Sequence, residues 1–475
     1  MCIFILLRRL CVDLGASRRP NIITAILRLA TANLLIVVLL SLKNSPFFIL
    51  MTSSYERLNT LHRVVGYTTL ISIVVHSCTY TVVFARQNFL QRLLVREEIF
   101  GMIAMVSFIA LSFAGCVLRT WWYELFYYLH VTFWILAIIM TGLHQPEPGK
   151  KILYVVCVSA GIWGVERILR LTRIIFNSIN NTVILTPLPN GGTRVILTKA
   201  PRGSFSGKHG YLWTPAVRAL ETHPFTMVST DPLEFVVAAY DGFTRALHKY
   251  ALENPGIELK ASVEGPYGSL PDFRSYGRVM LIAGGSGASF TIGAALNMLK
   301  TLDVGAKIDI EFIWMIRNHT YLAWFSEHLE TLHHDRRVST KVYVTRTSDN
   351  NGAPQRQPSS SLSTTSSTSI EPDPEKDIFS GHNITTSPLD ITKHKTTPTI
   401  SPAEDPLLDG TTVYLGRPDV PSLIKELIES TPSHKRVLVM GCGPKTLMST
   451  VRNATSDCVM DNRATIELHL EQFGW

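Results

Sequence analysis

Four histidines, His62, His76, His130 and His144, fall into two pairs, and each pair spans 14 residues inside a run apolar enough to cross a membrane. In an α-helix such a step rises about 21 Å and turns back to within about 40° of the starting direction. Each run therefore carries imidazoles on one face at two depths. Two such helices side by side make two stacked bis-histidine sites. A haem iron held by two axial histidines is six-coordinate, which suits it to passing electrons rather than binding a substrate. Taken singly, each histidine also fits a hydrogen-bonded or interfacial residue. Ionisable groups inside a bilayer are costly and mark function, so the repeated spacing favours two b-type haems in an electron path across a membrane.

Five apolar stretches must position these histidines: Asn21 to Leu42, Leu61 to Phe84, Ile99 to Leu118, Leu125 to Leu143 and Ile152 to Leu169. Each is near the roughly 20 residues that cross a hydrocarbon core. Residues 1–20 form a stub, because Met1 to Val12 is interrupted by Arg8 and Arg9 and has no small-residue cleavage site. The chain has 475 residues, 46% of them hydrophobic, and a net charge of +8. No basic stripe with interleaved aromatics occurs, so the charge suits a membrane surface and no nucleic-acid partner is expected. The seven cysteines show no CxxC spacing and signal neither zinc nor a disulfide framework.

The end of the last span is crowded by Glu166, Arg167, Arg170 and Arg173 and leads into a nucleotide-binding half, which places that end in the cytosol. His62 and His130 then lie near the inner surface, His76 and His144 near the outer one. Lys43, Arg57, Arg63 and Arg119 fall inside, as the positive-inside rule requires, whereas Arg86, Arg92 and Arg96 fall outside beside Glu97 and Glu98. Arg8, Arg9, Arg18 and Arg19 would also lie outside, which points to a further span upstream.

Residues 178–275 contain short β-rich runs, such as Thr182 to Thr186, Thr193 to Thr198 and Glu234 to Tyr240, separated by Gly/Pro turns, the pattern of a small antiparallel barrel. Within it, His223-Pro224-Phe225-Thr226 reads as a proline-fixed turn whose hydroxyl reaches a flavin, and equally as a plain strand-end turn. Glu264-Gly265-Pro266-Tyr267-Gly268 is a tight turn open to a phosphate or a ring, or an ordinary β-turn. From residue 276 onward strands and helices alternate. The strand Arg278 to Ala283 leads into Gly284-Gly285-Ser286-Gly287 and the helical run Ala288 to Leu299, which aims backbone N–H groups and a helix N-terminus at a pyrophosphate. Ile308 to Arg317, the helix Thr320 to Leu332, Val338 to Thr345, Thr412 to Leu415 and Val437 to Met440 complete a parallel α/β sheet over 276–475. Residues of about 348–409, rich in Ser, Thr, Pro and Asp, form a disordered insertion. Sequons at Asn180, Asn318, Asn383 and Asn453 fall on the cytosolic side and are expected to be unused.

The ordered set of paired histidines, HPFT at His223 to Thr226, GPYG at Gly265 to Gly268, GGSG at Gly284 to Gly287, GRPD at Gly416 to Asp419, GCGP at Gly441 to Pro444 and a C-terminal Trp475 resembles the ferric reductase and NADPH oxidase superfamily. Ser54 to Arg63 resembles its fungal ferric/cupric reductase branch. The resemblance runs from about Pro20 to Trp475. It implies a multi-span α-helical membrane haem domain over 21–177, followed by a ferredoxin-NADP reductase-like module with an antiparallel β-barrel FAD domain and an α/β parallel-sheet NADPH domain.

By that resemblance His62 with His130 ligates the inner haem and His76 with His144 the outer. His223, Pro224, Phe225 and Thr226 hold FAD, with Gly242, Phe243, Thr244 and the turn Gly265, Pro266, Tyr267, Gly268 near its phosphates. Gly284, Gly285, Ser286 and Gly287 take the NADPH pyrophosphate. Arg417 and Arg317 meet the 2′-phosphate, for which a guanidinium fork is suited. Cys442, with Gly441, Gly443 and Pro444, lies by the nicotinamide, and Trp475 by the flavin face. The family's arginine before the Gly242 turn is replaced by Ala238, Ala239 and Tyr240, which lowers the expected flavin affinity.

The implied activity is ferric-chelate reduction at the plasma membrane by NADPH, through FAD and two b-type haems. Its acceptors are extracellular ferric chelates or siderophores, or Cu(II), and its partner is an iron permease/oxidase uptake system. A superoxide-producing NADPH oxidase and a truncated, non-catalytic family member are the alternatives.

Overall fold

The computed structural model describes residues 20–43, 55–145, 151–303, 305–345, 402–404, 412–432, 434–461 and 465–471. The N-terminal stub, most of the expected insertion and Trp475 lie outside them. Two compact units divide at Arg173/Ile174.

The first unit is helical: α1 (Pro20–Ser41), α2 (Tyr55–Arg86), α3 (Arg96–Phe113), α4 (Tyr123–His144) and α5 (Lys151–Asn177), the last continuing into the second unit. Four helices among the described residues, from Leu58, Arg96, Tyr123 and Ile152 onward, are long and apolar enough to cross a membrane; the described part of α1, Leu29–Ser41, is apolar as well. Val64, Ile71, Val106, Ile139 and Val165 are exposed, as suits side chains whose solvent is lipid. Leu34, Val38, Phe108, Trp134, Ala137 and Val156 pack inward. The chain is a multi-pass membrane protein. The α3 helix does not run on regularly. It passes into a π-turn, Ala114–Leu118, and a short helical segment, Arg119–Trp121.

The second unit opens with two antiparallel sheets around one core. Strands β1 (Thr182–Leu188), β2 (Gly192–Leu197), β3 (His209–Trp213), β4 (His223–Thr226), β5 (Ser229–Thr230), β6 (Leu233–Ala238), β7 (Glu258–Lys260) and β8 (Ser262–Tyr267) form the orders β5-β6-β2-β1-β7 and β4-β3-β8. Val195, Leu212, Phe235, Phe243 and Val263 fill the space between them. Three local expectations are corrected here. His223–Thr226 is a strand rather than a turn. It lies at a sheet edge, where a proline with no N–H to donate is tolerated. Gly242-Phe243-Thr244 is the opening of a helix, α6 (Gly242–Glu253), which turns Phe243, Leu247 and Ala251 into the core. The GPYG segment continues β8 through Tyr267.

A parallel sheet follows, built from β9 (Arg278–Gly284), β10 (Asp309–Ile316), β11 (Val338–Val344), β12 (Pro402–Glu404), β13 (Thr412–Leu415), β14 (Val437–Cys442) and β15 (Ile466–Glu471) in the order β12-β13-β11-β10-β9-β14-β15. Helices α7 (Ala288–Thr301) and α8 (Ser326–His333) cover one face, α9 (Val420–Glu429) and α10 (Lys445–Asp461) the other. Burial on both faces explains why β9 is an unbroken apolar run. The helix expected from Thr320 to Leu332 is split into a 3-10 segment, His319–Trp324, and α8. Inside the stretch expected to be disordered, Pro402–Glu404 pairs antiparallel to β13 as an edge strand.

Candidate functional site

The membrane helices bring the histidines together in the expected pairs. His62 on α2 faces His130 on α4 with ring centroids 6.4 Å apart at 64°, and His144 is near enough to His76 to act on it electrostatically. Three of the four rings are anchored through Nδ1 to a helix carbonyl: His62 to Val37 O at 3.0 Å, His130 to Leu111 O at 2.9 Å and His144 to Glu97 O at 2.8 Å. A carbonyl only accepts, so Nδ1 carries the proton and donates, leaving Nε2 with its lone pair. That is the tautomer of a metal-ligating histidine, whose other nitrogen is held by an outer partner. His76 Nδ1 is buried with no hydrogen-bond partner, its ring 4.8 Å from that of Tyr80. Imidazole–metal bonds of about 2.0 Å on each side, with the ring radii added, give a centroid separation close to that of His62 and His130. The side chains present therefore fit a haem held between two histidines.

In the second unit, the sheet order reverses between β9 and β14, the switch point at which open α/β sheets bind ligands. GGSG leaves β9 there and GCGP leaves β14. The two loops approach so closely that side chains cannot intervene: a Cβ on Gly287 would stand 2.2 Å from Cys442 O, and one on Gly284 would stand 2.8 Å from Pro444 Cδ. Gly285 adopts a φ of 55° and its carbonyl accepts from Trp314 Nε1 at 2.9 Å. Above the loops lies a cavity of about 440 Å³, within the range of small-molecule sites. Its walls include Gly284, Gly285, Ser286, Arg317, Arg417 and Pro444. Both candidate 2′-phosphate arginines thus share one cavity with the glycine loop and the N-terminus of α7. Asp419 lies in the same wall, its carboxylate capping α9 through Ser422 N and Oγ. Cys442 is buried at the end of β14, and Gly441 and Gly443 flank it.

On the barrel, His223 stacks on Phe243 at 4.3 Å and 14°, while its Nε2 lies 3.1 Å from Glu221 Oε2. Phe225 stacks on the same ring at 6.2 Å. The HPFT strand and the start of α6 therefore form one surface, although about 20 residues separate them. Thr244 is engaged locally, accepting from Tyr240 N and donating to Asp241 O. The GPYG segment docks on β3, with Tyr267 stacked on His209 at 5.9 Å and its hydroxyl donating to Glu264. Where the family arginine is missing, Ala238, Ala239 and Tyr240 line the nucleotide cavity, and Tyr240 hydroxyl lies 3.4 Å from Ser286 Oγ. Arg245 on α6 donates to Tyr240 O at 3.2 and 3.0 Å. Lys208, whose backbone carbonyl pairs with Met227 N, sits over the Phe205 ring, and burial lowers its ammonium pKa.

Contacts the sequence reading missed hold the barrel to the parallel sheet. Glu234 on β6 is buried between Arg194 at 3.2 Å and His328 at 3.1 Å, and Arg194 also binds Glu327 at 2.9 Å. Trp324 Nε1 donates to Pro189 O at 2.8 Å. No motif marks these side chains, because they are far apart in the chain and only the closed structure joins them.

The fold and these sites define a multi-pass membrane protein with an FAD-binding and an NAD-binding domain. Residues 27–141 match the ferric reductase like transmembrane component, 180–270 the FAD-binding domain and 276–456 the ferric reductase NAD binding domain. The chain belongs to the ferric reductase family and is homologous to fungal ferric/cupric reductase transmembrane components. It is 28% identical over 362 residues to the ferric/cupric reductase transmembrane component 2 of Schizosaccharomyces pombe, covering 64% of this chain and 62% of that protein. It is 24% identical over 461 residues to the protein of the same name in Saccharomyces cerevisiae, covering 94% and 60%. The chain thus spans about three fifths of the length of these relatives. Among solved structures, a ferredoxin NADP+ reductase from Neisseria gonorrhoeae with bound FAD and NADP is 14% identical, with a TM-score of 0.37, over 61% of this chain and 98% of that one.

Proposed function

We propose that the chain is a transmembrane ferric-chelate reductase of the plasma membrane. In this reading it takes electrons from cytosolic NADPH and delivers them to ferric chelates or siderophores, or to Cu(II), outside the cell, feeding an iron permease/oxidase uptake system. The observation that carries it is the histidine arrangement in the membrane helices: two facing pairs, three of the four rings held by Nδ1 so that Nε2 is left to ligate iron. FAD splits a hydride into single electrons, and two b-type haems, held by His62/His130 and His76/His144, carry them across the bilayer. The protein's own task is placement. GGSG and the start of α7 receive the pyrophosphate, Arg417 and Arg317 select the 2′-phosphate, Gly441, Cys442, Gly443 and Pro444 border the nicotinamide, and the surface of His223, Phe225 and Phe243 supports the flavin.

A ferric chelate needs only an accessible surface near His76 and His144, since a six-coordinate iron passes its electron at the haem edge. Cells expressing the chain should therefore reduce membrane-impermeable ferric chelates without oxygen, and added superoxide dismutase should leave the rate unchanged. Loss of iron reduction under anaerobic conditions, or its abolition by the dismutase, would make superoxide the product and the chain an oxidase.

A further inference from the structure

His130 and His144 meet the same pair of features on α3 and its π-turn. His144 donates to Glu97 O, and four residues on is Gly101; His130 donates to Leu111 O, and four residues on is Gly115. The carbonyls are 14 residues apart, and so are the glycines, which repeats on the neighbouring helix the spacing of the histidines themselves. A residue four positions after a helical carbonyl lies on the same helix face, where its Cβ would share space with a ring bonded to that carbonyl. The two positions are not equivalent. A Cβ on Gly101 would stand 2.6 Å from His144 Nδ1, 2.8 Å from Cε1 and 3.1 Å from Cγ, whereas one on Gly115 would stand 3.6 Å from His130 Nδ1 and 3.7 Å from Cε1, an ordinary contact. Gly115 lies inside the π-turn, Ala114–Leu118. A π-turn is wider than a regular helical turn, which accords with the greater room there.

We infer that Gly101 is a positioning residue for His144: the missing side chain lets the imidazole lie against the helix with Nδ1 on Glu97 O and Nε2 directed at the iron. Gly115 has no such necessity, because a methyl group fits beside His130. The inference rests on the two-haem reading and concerns one haem of the two. A methyl at Gly101 must push the His144 ring away, breaking its bond to Glu97 O and moving Nε2, while the His62/His130 pair keeps its anchors.

The test compares Gly101→Ala and Gly115→Ala in the full chain in membranes, by haem per chain, by the low-spin electron paramagnetic resonance signals and by an optical redox titration. In Gly101→Ala one of the two haems should be lost, or one low-spin signal and one midpoint should shift while the other stays in place. Gly115→Ala should keep both unchanged. Two unaltered haems in Gly101→Ala would overturn the inference, as would equal damage in both variants. Failure of Gly101→Ala to accumulate while Gly115→Ala accumulates normally would also count against it, since the only clash is with the His144 ring and helix packing is otherwise untouched. Absence of haem from the wild-type chain would overturn the two-haem reading itself.

Discussion

Arg417 follows β13 and faces the cavity shared with Gly285, Ser286 and Arg317. If it selects the 2′-phosphate, replacing it with alanine removes a charge-assisted contact made only by NADPH. Such contacts are worth about 1.5–3 kcal/mol, so Arg417→Ala should lower kcat/KM for NADPH roughly ten- to hundredfold and leave that for NADH nearly unchanged. Steady-state kinetics with both nucleotides checks this, and an equal loss with both would remove Arg417 from the phosphate site. At this scale the sequence is legible where spacing carries the chemistry, as with the paired histidines. It is opaque where a residue acts by lacking a side chain. Gly101 and Gly115 repeat the 14-residue step, yet a glycine in an apolar helix is common enough to pass unnoticed until the ring it faces is known. Trp475, expected at the flavin face, lies outside the described residues.

The elements follow the periodicity of the sequence wherever burial is uniform. The buried strand β9 and the apolar helices α2 and α4 could be read directly, since each is a long or unbroken apolar run. The misreadings share one cause, local residues overruled by tertiary contacts. Pro224 suggests a turn, but the edge of the β4-β3-β8 sheet accepts it in a strand. Gly242 suggests a loop, but Phe243, Leu247 and Ala251 find a core that rewards a helix. The junction of GGSG with GCGP is a sharper case of tertiary constraint. Gly287 and Cys442 are 155 positions apart, and only their meeting at the switch point demands a residue without a side chain. Gly287→Ala sets a methyl against backbone on both sides, so the strands must move apart. The expected cost is at least the 1–3 kcal/mol typical of overpacking, or several degrees in apparent Tm for a unit of this size. Thermal unfolding of the purified full chain with and without NADPH checks this. A Tm equal to wild type, with nucleotide stabilisation retained, would show that the loops are not held as tightly as the contacts indicate.

Across the whole molecule the account joins two sets of residues that share no sequence motif: histidine pairs in the membrane helices and a flavin and nucleotide module beyond Ile174. Its central claim is that the four histidines hold two haems that NADPH can reduce. The most direct measurement is an anaerobic difference spectrum of membranes expressing the full chain, NADPH-reduced minus oxidised, with haem counted per chain, in wild type and in His76→Ala and His144→Ala. Wild type should show two b-type haems per chain, both reduced by NADPH. Each variant should keep a single NADPH-reducible haem and NADPH-dependent dye reduction at the flavin, while losing reduction of external ferric chelate. Full haem content and undiminished chelate reduction in both variants, or a wild-type chain whose haems NADPH does not reduce, would contradict the account.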